Sequence, residues 1–208
     1  MKNKMCMLIP WAAGLLLWVA SDDIQSAWKS RFDRREGDII FQSLPRGPMV
    51  DAIEGATASE WSHCGVIMRE NNAWVVYESL GDVHVTPLRH WIRRGRGNMK
   101  FDVCRLNPET PFDVEKLRLA LKSFLGRPYD FHMAPDDENI YCSELVHKAY
   151  DLAAEIKIGE WQTLGSLDWK PFENFILTIE PVVPLEREMI TPVALTRSKL
   201  LELIHTER

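Results

Sequence analysis

The sequence predicts an α+β domain, with an antiparallel sheet in its first half and helices packed on it after. Three observations point there. Between residues 37 and 106 short apolar runs are separated by two-residue turn signals, the pattern of a strand meander. After residue 110 the apolar period lengthens to that of helices. No linker or internal repeat divides the chain, and its 208 residues suit one domain.

The elements follow in order. Residues 1–21 open with Lys2 and Lys4, continue as an apolar run from about Met5 to Ala20, and leave through Ser21-Asp22-Asp23. A basic start, an apolar middle and small residues at Val19 and Ser21 read as an export signal cleaved after Ser21, with an uncleaved anchor as the alternative. The run is shorter than the about 20 apolar residues of a membrane span. The expected location is therefore the periplasm or cell envelope. Residues 22–36 form a polar lead-in. "GDIIFQ" (37–42) is a strand, and 43–59 is a loop with a helical turn or two carrying Met49, Val50 and Ile53. "WSHCGVIM" (61–68), "AWVVYESL" (73–80) and "VHVTPL" (83–88) are strands joined through turns at Asn71-Asn72 and Gly81-Asp82, and "KFDVCRL" (100–106) is another. Thr110-Pro111, followed by Asp113 and Glu115, starts a helix that Gly126 and Pro128 stop. A second helix runs from about Cys142 to Glu155. Residues 157–180 are loop-rich, "EPVVPL" (180–185) is a strand, and Thr191-Pro192 opens a terminal helix over 191–207. The expected divisions are a signal at 1–21, a globular domain at 36–185 and a C-terminal helical extension at 186–208.

Composition narrows the function. With 46% hydrophobic and 26% charged residues the chain folds around a core. A net charge of −5 argues against a nucleic-acid partner, because nothing would neutralise phosphates in bulk. The arginines of "RHWIRRGRG" (89–97), with nearby Arg105, read as a solvated loop, or else as a local contact for an anion or lipid headgroup. After the signal three cysteines remain, Cys64, Cys104 and Cys142, so one thiol is left over from any internal pairing. No Cys/His spacing suggests a metal site, and no cofactor is implied. Oligomeric state has no signature in the sequence.

Three residues could carry chemistry. Cys142, in "NIYCSELVHKAY", stands at a helix start, where unpaired N–H groups and the helix dipole favour a thiolate and could hold an oxyanion. A lone cysteine there is also an ordinary core residue. His63 lies in a strand beside Gly65, which leaves space for another group to approach; a hydrogen-bonded core histidine reads the same way. Glu78 sits in an apolar and aromatic strand, where a carboxylate is costly unless paired. Pairing about the Asn71-Asn72 turn brings the strands of His63 and Glu78 side by side. A carboxylate beside an imidazole fixes its tautomer and raises its basicity, as a general base requires; an edge-strand carboxylate in water is the plainer alternative. Cys64 points to the face opposite His63, so Cys142 is the cysteine suited to this base.

The ordered set "GDIIF", "WSHCGV", "YESLG", "TPLRHWI", "FLGRPYDF" and "YCSELV" resembles the YiiX type of permuted papain-like amidases, within the NlpC-type cysteine hydrolases and related to the lecithin retinol acyltransferase fold. The resemblance implies a permuted papain-like fold with a barrel-like antiparallel core, histidine early on the sheet and cysteine late on a helix. Residue by residue, it implies Cys142 as nucleophile, His63 as base and Glu78 as its orienter. Tyr129 of "PYDF" would line the site or help hold the oxyanion, with Tyr141 as a competitor for that role. It implies acyl transfer without a metal on a cell-envelope peptide, or on an N-acylated or lipid-like substrate, with possible membrane-surface association. The alternative is a non-catalytic protein that binds lipid or a small ligand on the same fold. Residues 43–59 and the tryptophan-bearing loop 161–175 would then wall the site, or simply pack into the core.

Overall fold

The computed structural model describes residues 32–208, and residues 34–208 form one unit. The expected export signal lies outside the described residues. Among the described residues no helix is long and apolar enough to cross a membrane.

Six strands make an antiparallel sheet: β1 (Asp38–Gln42), β2 (His63–Glu70), β3 (Ala73–Leu80), β4 (Asp82–Pro87), β5 (Phe101–Leu106) and β8 (Leu201–Glu207). Their order is β4-β3-β2-β1-β5-β8, which leaves β4 and β8 as edges. The β2–β3 hairpin turns where expected, at Asn71 (φ 48°) and Asn72 (φ 66°); asparagine tolerates the left-handed conformation such a turn needs. Helices α1 (Pro48–Ala56), α2 (Leu88–Arg94) and α3 (Arg96–Met99) fall in the connections of this first half. Helices α4 (Val114–Ser123), α5 (Cys142–Ala154), α6 (Glu173–Ile179) and α7 (Pro192–Thr196) follow, with a short β6–β7 pair (Gln162–Thr163 and Glu188–Met189).

Helices cover both faces of the sheet. On one, Phe41, Cys64, Val66 and Tyr77 join Leu117 and Leu121 of α4 and Leu145, Val146 and Ala149 of α5 in the main core. On the other, Ile40, Ile67 and Val76 are buried, and α2 brings in the buried Trp91 and Ile92. Two-sided burial explains why β2 and β3 read as nearly continuous apolar runs. Each fully buried Leu or Val side chain contributes about 1.5–3 kcal/mol.

Gly65 shows how tightly β2 and β3 approach. A Cβ there would lie 2.5 Å from Val76 Cγ1 and 2.6 Å from the Tyr77 carbonyl oxygen. Because that oxygen is backbone, it cannot swing aside. Gly65→Ala is expected to cost about 1–3 kcal/mol, seen as a lower urea midpoint at unchanged slope.

Four sequence expectations change. The helix expected from Thr110-Pro111 begins at Val114, because the Asp113 carboxylate accepts from the Glu115 and Lys116 N–H groups at 2.8 and 3.3 Å and caps it there. The strand expected at 180–185 is absent; β7 lies just beyond, at Glu188–Met189. The C-terminal helix over 191–207 is helical only at Pro192–Thr196, where the Thr191 hydroxyl accepts from Ala194 N–H. Residues 201–207 instead form β8, antiparallel to β5 from Phe101↔Glu207 to Leu106↔Leu201. This stretch completes the sheet rather than extending the domain. A leucine-rich sequence that favours helix is overridden here by a free sheet edge offering a full ladder of backbone partners. Finally, the arginine cluster is no solvated loop. Arg94 ends α2 and Arg96 begins α3, and they turn inward onto Glu78 and Glu54, while Arg105 bonds Asp38 at 2.7 Å.

Candidate active site

Cys142 opens α5, and the segment around it is tied down on several sides. The Ser79 hydroxyl of β3 donates to the Ile140 carbonyl at 2.5 Å, and Ile140 N–H donates to the Pro128 carbonyl at 2.9 Å. Ser143 Oγ donates to the Ile190 carbonyl at 2.8 Å, and Ile190 N–H donates back to the Tyr141 hydroxyl at 2.9 Å. Tyr141 N–H finds the Glu144 carboxylate at 3.4 Å. These bonds fix where the first turn of α5, with its unpaired N–H groups, meets the sheet.

His63 opens β2 and is 1% exposed. Its ring stacks on Trp91 at 5.7 Å between centroids. Its Nε2 meets Glu78 Oε2 at 2.5 Å, and the Cys142 thiol is its other polar neighbour. The structure therefore brings Cys142, His63 and Glu78 together in one chain of contacts. Glu78 is fully buried and neither solvated nor at an edge. Besides His63 it accepts from the Thr86 hydroxyl at 2.6 Å and from the Arg94 guanidinium, and His84 Nε2 lies 3.4 Å from its Oε1.

Charge follows from these contacts. Burial alone would raise the Glu78 carboxyl, but the His63 hydrogen bond and charge, then those of Arg94, bring it down to about 2. Burial alone would lower the His63 imidazole, but hydrogen bonds to Cys142 and Glu78, and their charges, raise it to about 9. The Cys142 thiol is held well below the ordinary thiol range by the Cys64 side chain, and by the hydrogen bond and charge of His63, against the opposing pull of burial. The Cys64 backbone N–H acts on the thiol in the same direction. Burial, and the charge and hydrogen bond of Cys142, push Cys64 the other way, so it stays a thiol. At neutral pH the site holds a thiolate–imidazolium pair steadied by an ionised carboxylate.

The two tyrosines differ. Tyr129 belongs to a loop pinned to the β3–β4 turn, its N–H on the Gly81 carbonyl at 2.9 Å, while buried Asp130 caps the next turn through His132 and Ala134 N–H. Tyr129 lines the same cleft as Cys142, and burial beside that cysteine's charge keeps its phenol protonated, a donor. Tyr141 lines the cleft too; its hydroxyl accepts from Ile190 N–H at 2.9 Å and the residue is almost fully buried.

Cys142 opens into an apolar cleft of about 830 Å³, counted out to the solvent at its mouth. Met49 and Ile53 of α1 line it, as do Trp169, Phe172 and Phe175, together with Tyr129 and Leu164. The two segments expected to wall the site thus do so, although Val50 does not reach it. Glu180 at the rim is held by Arg187 and, at 2.8 Å, by His132.

Sequence reasoning missed Arg94, Thr86, Trp91 and the contact of Cys64 with Cys142. Only Arg94 carried a signal, as one of a basic cluster in an acidic chain.

Residues 33–205 match the family model described as permuted papain-like amidase enzyme, YaeF/YiiX, C92 family. The uncharacterized protein YiiX of Escherichia coli strain K12 is 33% identical over 198 residues, covering 93% of this chain and 91% of the relative. A crystal structure of YiiX from Escherichia coli O157:H7, described as a metalloprotein, superposes with a TM-score of 0.75 at 35% identity, covering 83% of this chain and 97% of that one.

Proposed function

We propose, because this chain belongs to the permuted papain-like amidase family YaeF/YiiX, that it hydrolyses an amide or ester bearing an apolar acyl group through a thioester on Cys142. The family is one of cysteine hydrolases in general. The observation that carries the finer reading is the opening of the paired thiol into a cleft whose exposed surface is mostly apolar. Exported to the envelope, the protein would meet N-acylated or lipid-like molecules, or acylated peptides, there.

The Cys142 thiolate attacks the carbonyl carbon. The oxyanion is received by the N–H groups at the start of α5 and by the Tyr129 hydroxyl. His63, protonated at the start, gives its proton to the leaving amine or alcohol as the C–N or C–O bond breaks. Neutral His63 then takes a proton from water, which attacks the thioester and releases the acid and the thiolate. Glu78, anchored by Arg94 and Thr86, stabilises the imidazolium and fixes its tautomer. The metalloprotein description of the relative finds no donor set here. Among the described residues no three His, Cys, Asp or Glu side chains are grouped to hold a metal, and no step is routed through one.

The test is a series of N-acyl amides and esters of increasing chain length, with Cys142→Ala alongside. Each methylene seated in the cleft is expected to raise kcat/KM about fourfold, from about 0.8 kcal/mol per buried CH₂, until the cleft is full. Cys142→Ala should bind the longer chains and release no product. Flat chain-length dependence would remove the apolar acyl group from the reading. Binding without turnover in the unaltered protein would favour the ligand-binding alternative.

A further inference from the structure

We propose that Cys64 is a resolving thiol for Cys142, and that hydroperoxides convert the pair into a reversible disulfide that closes the active site. The proposal rests on Cys142 being the reactive thiol of the proposed function.

The proposed hydrolysis makes no use of Cys64, yet its position is specific. It follows His63 on β2, so its side chain leaves the opposite face of the sheet, toward α5. There it is fully buried, in the same core cluster as Cys142. The Ser79–Ile140 hydrogen bond draws the start of α5 onto the sheet. Helix α5 packs on β2 with Cys142 as its first residue, and the Cys64 side chain and backbone N–H both act on the Cys142 sulfur. The two thiols are thus neighbours across the β2–α5 packing, the kind of placement a disulfide requires. The third thiol has no such access. Cys104 lies on β5, with β1 between it and β2, pairing with Ile39 while Cys64 pairs with Phe41.

The chemistry balances. The Cys142 thiolate attacks the outer oxygen of a hydroperoxide, the O–O bond breaks, and the departing oxygen takes the His63 proton to leave as water or an alcohol. Cys142 is now a sulfenic acid. The Cys64 sulfur attacks its sulfur, the S–O bond breaks, and the hydroxyl leaves with the Cys64 proton as water. The hydroperoxide is the oxidant, and both sulfurs are oxidised. A dithiol reverses the bond, whereas a sulfenic acid with no resolving partner proceeds to sulfinic and sulfonic acids that a dithiol does not rescue. The cleft that leads to Cys142 is the route for the oxidant.

The test treats the unaltered chain, Cys64→Ser, Cys64→Ala and Cys104→Ser with hydrogen peroxide. Peptides are mapped without reduction, and alkylation of Cys142 is followed before and after a dithiol. The expected result is a Cys64–Cys142 linked peptide in the unaltered chain and in Cys104→Ser, with alkylation lost and then fully recovered. In the Cys64 variants no linked peptide forms, and alkylation is lost without recovery. The linked peptide in the unaltered chain is informative even if a Cys64 variant does not fold. Rapid alkylation of Cys142 with no linked peptide after peroxide, or a link through Cys104, overturns the redox proposal alone. Slow alkylation of Cys142, at the rate of Cys104, overturns the reactive-thiol reading and this proposal with it.

Discussion

His63→Ala is expected to lower turnover about 10²–10⁴-fold, the range over which a positioned acid–base group acts, and to slow alkylation of Cys142 at pH 6 far less. The two readouts separate two jobs of one ring. Turnover needs His63 to give and take protons. Alkylation needs only the thiolate, which His63 supports by charge. Losing an opposite charge at contact distance raises the thiol. Reactivity then falls by less than the thiolate fraction does, because a more basic thiolate is also the better nucleophile. In the unaltered chain His63 holds its proton up to about 9, so the thiolate–imidazolium pair spans the neutral range and the alkylation rate there should be nearly flat. A variant in which alkylation and turnover fall equally would mean that His63 only activates the thiol.

Glu78→Gln should have the largest effect on stability, about 3 kcal/mol at pH 7. Folding holds the Glu78 carboxyl at about 2 against an ordinary 4.5, and a lowered carboxyl stabilises the fold wherever it is ionised in both states. The sign follows: the contribution is complete above about 4.5 and is lost as the pH falls through about 2. Glutamine also leaves the Arg94 cation and the protonated His63 with no opposite charge in a buried setting, a loss of about 3–5 kcal/mol when one partner of a buried pair is removed. Urea midpoints of the two proteins should lie furthest apart at neutral pH and converge on acidification. A constant gap across that window would show that Glu78 acts by packing alone. The same substitution should also lower His63 from about 9, because one of its charge partners is gone.

Much of this was legible in the sequence, for local reasons. The hairpin between His63 and Glu78 could be read because Asn71-Asn72 accepts the turn and because an acid in "WVVYES" demands a partner. Cys142 could be read as a helix start from the period of Leu145, Val146 and Ala149. The rest depends on non-local partners. β8 pairs with β5 across about half of the chain, and nothing in "LLELIHTE" announces that edge. Arg94 and Thr86 meet Glu78 only because β4 runs straight into α2, so that the basic cluster turns back over the strand of the carboxylate. That Cys64 faces away from His63 follows from the alternation of a strand, but its neighbour on that face comes from a helix nearly eighty residues later. The bond that fixes the Tyr141 hydroxyl comes from the backbone N–H of Ile190, nearly fifty residues downstream, and no local pattern announces it.

The order of the site along the chain has a consequence for how the protein comes into being. The imidazole and carboxylate belong to the first hairpin, the sulfur to a helix made much later, and the bonds from Ser79 and Pro128 to Ile140 are what dock that helix. A polypeptide that emerges amino end first therefore builds the waiting half before the reactive one. Until the helix docks, the sulfur at 142 has no imidazolium beside it and no aligned N–H groups before it, and behaves as any cysteine of an unfolded chain. Nucleophilicity is switched on only when that helix docks, so a chain in which it is undocked carries no active thiol, and the appearance of a fast-reacting cysteine marks the moment at which the two halves of the site have met.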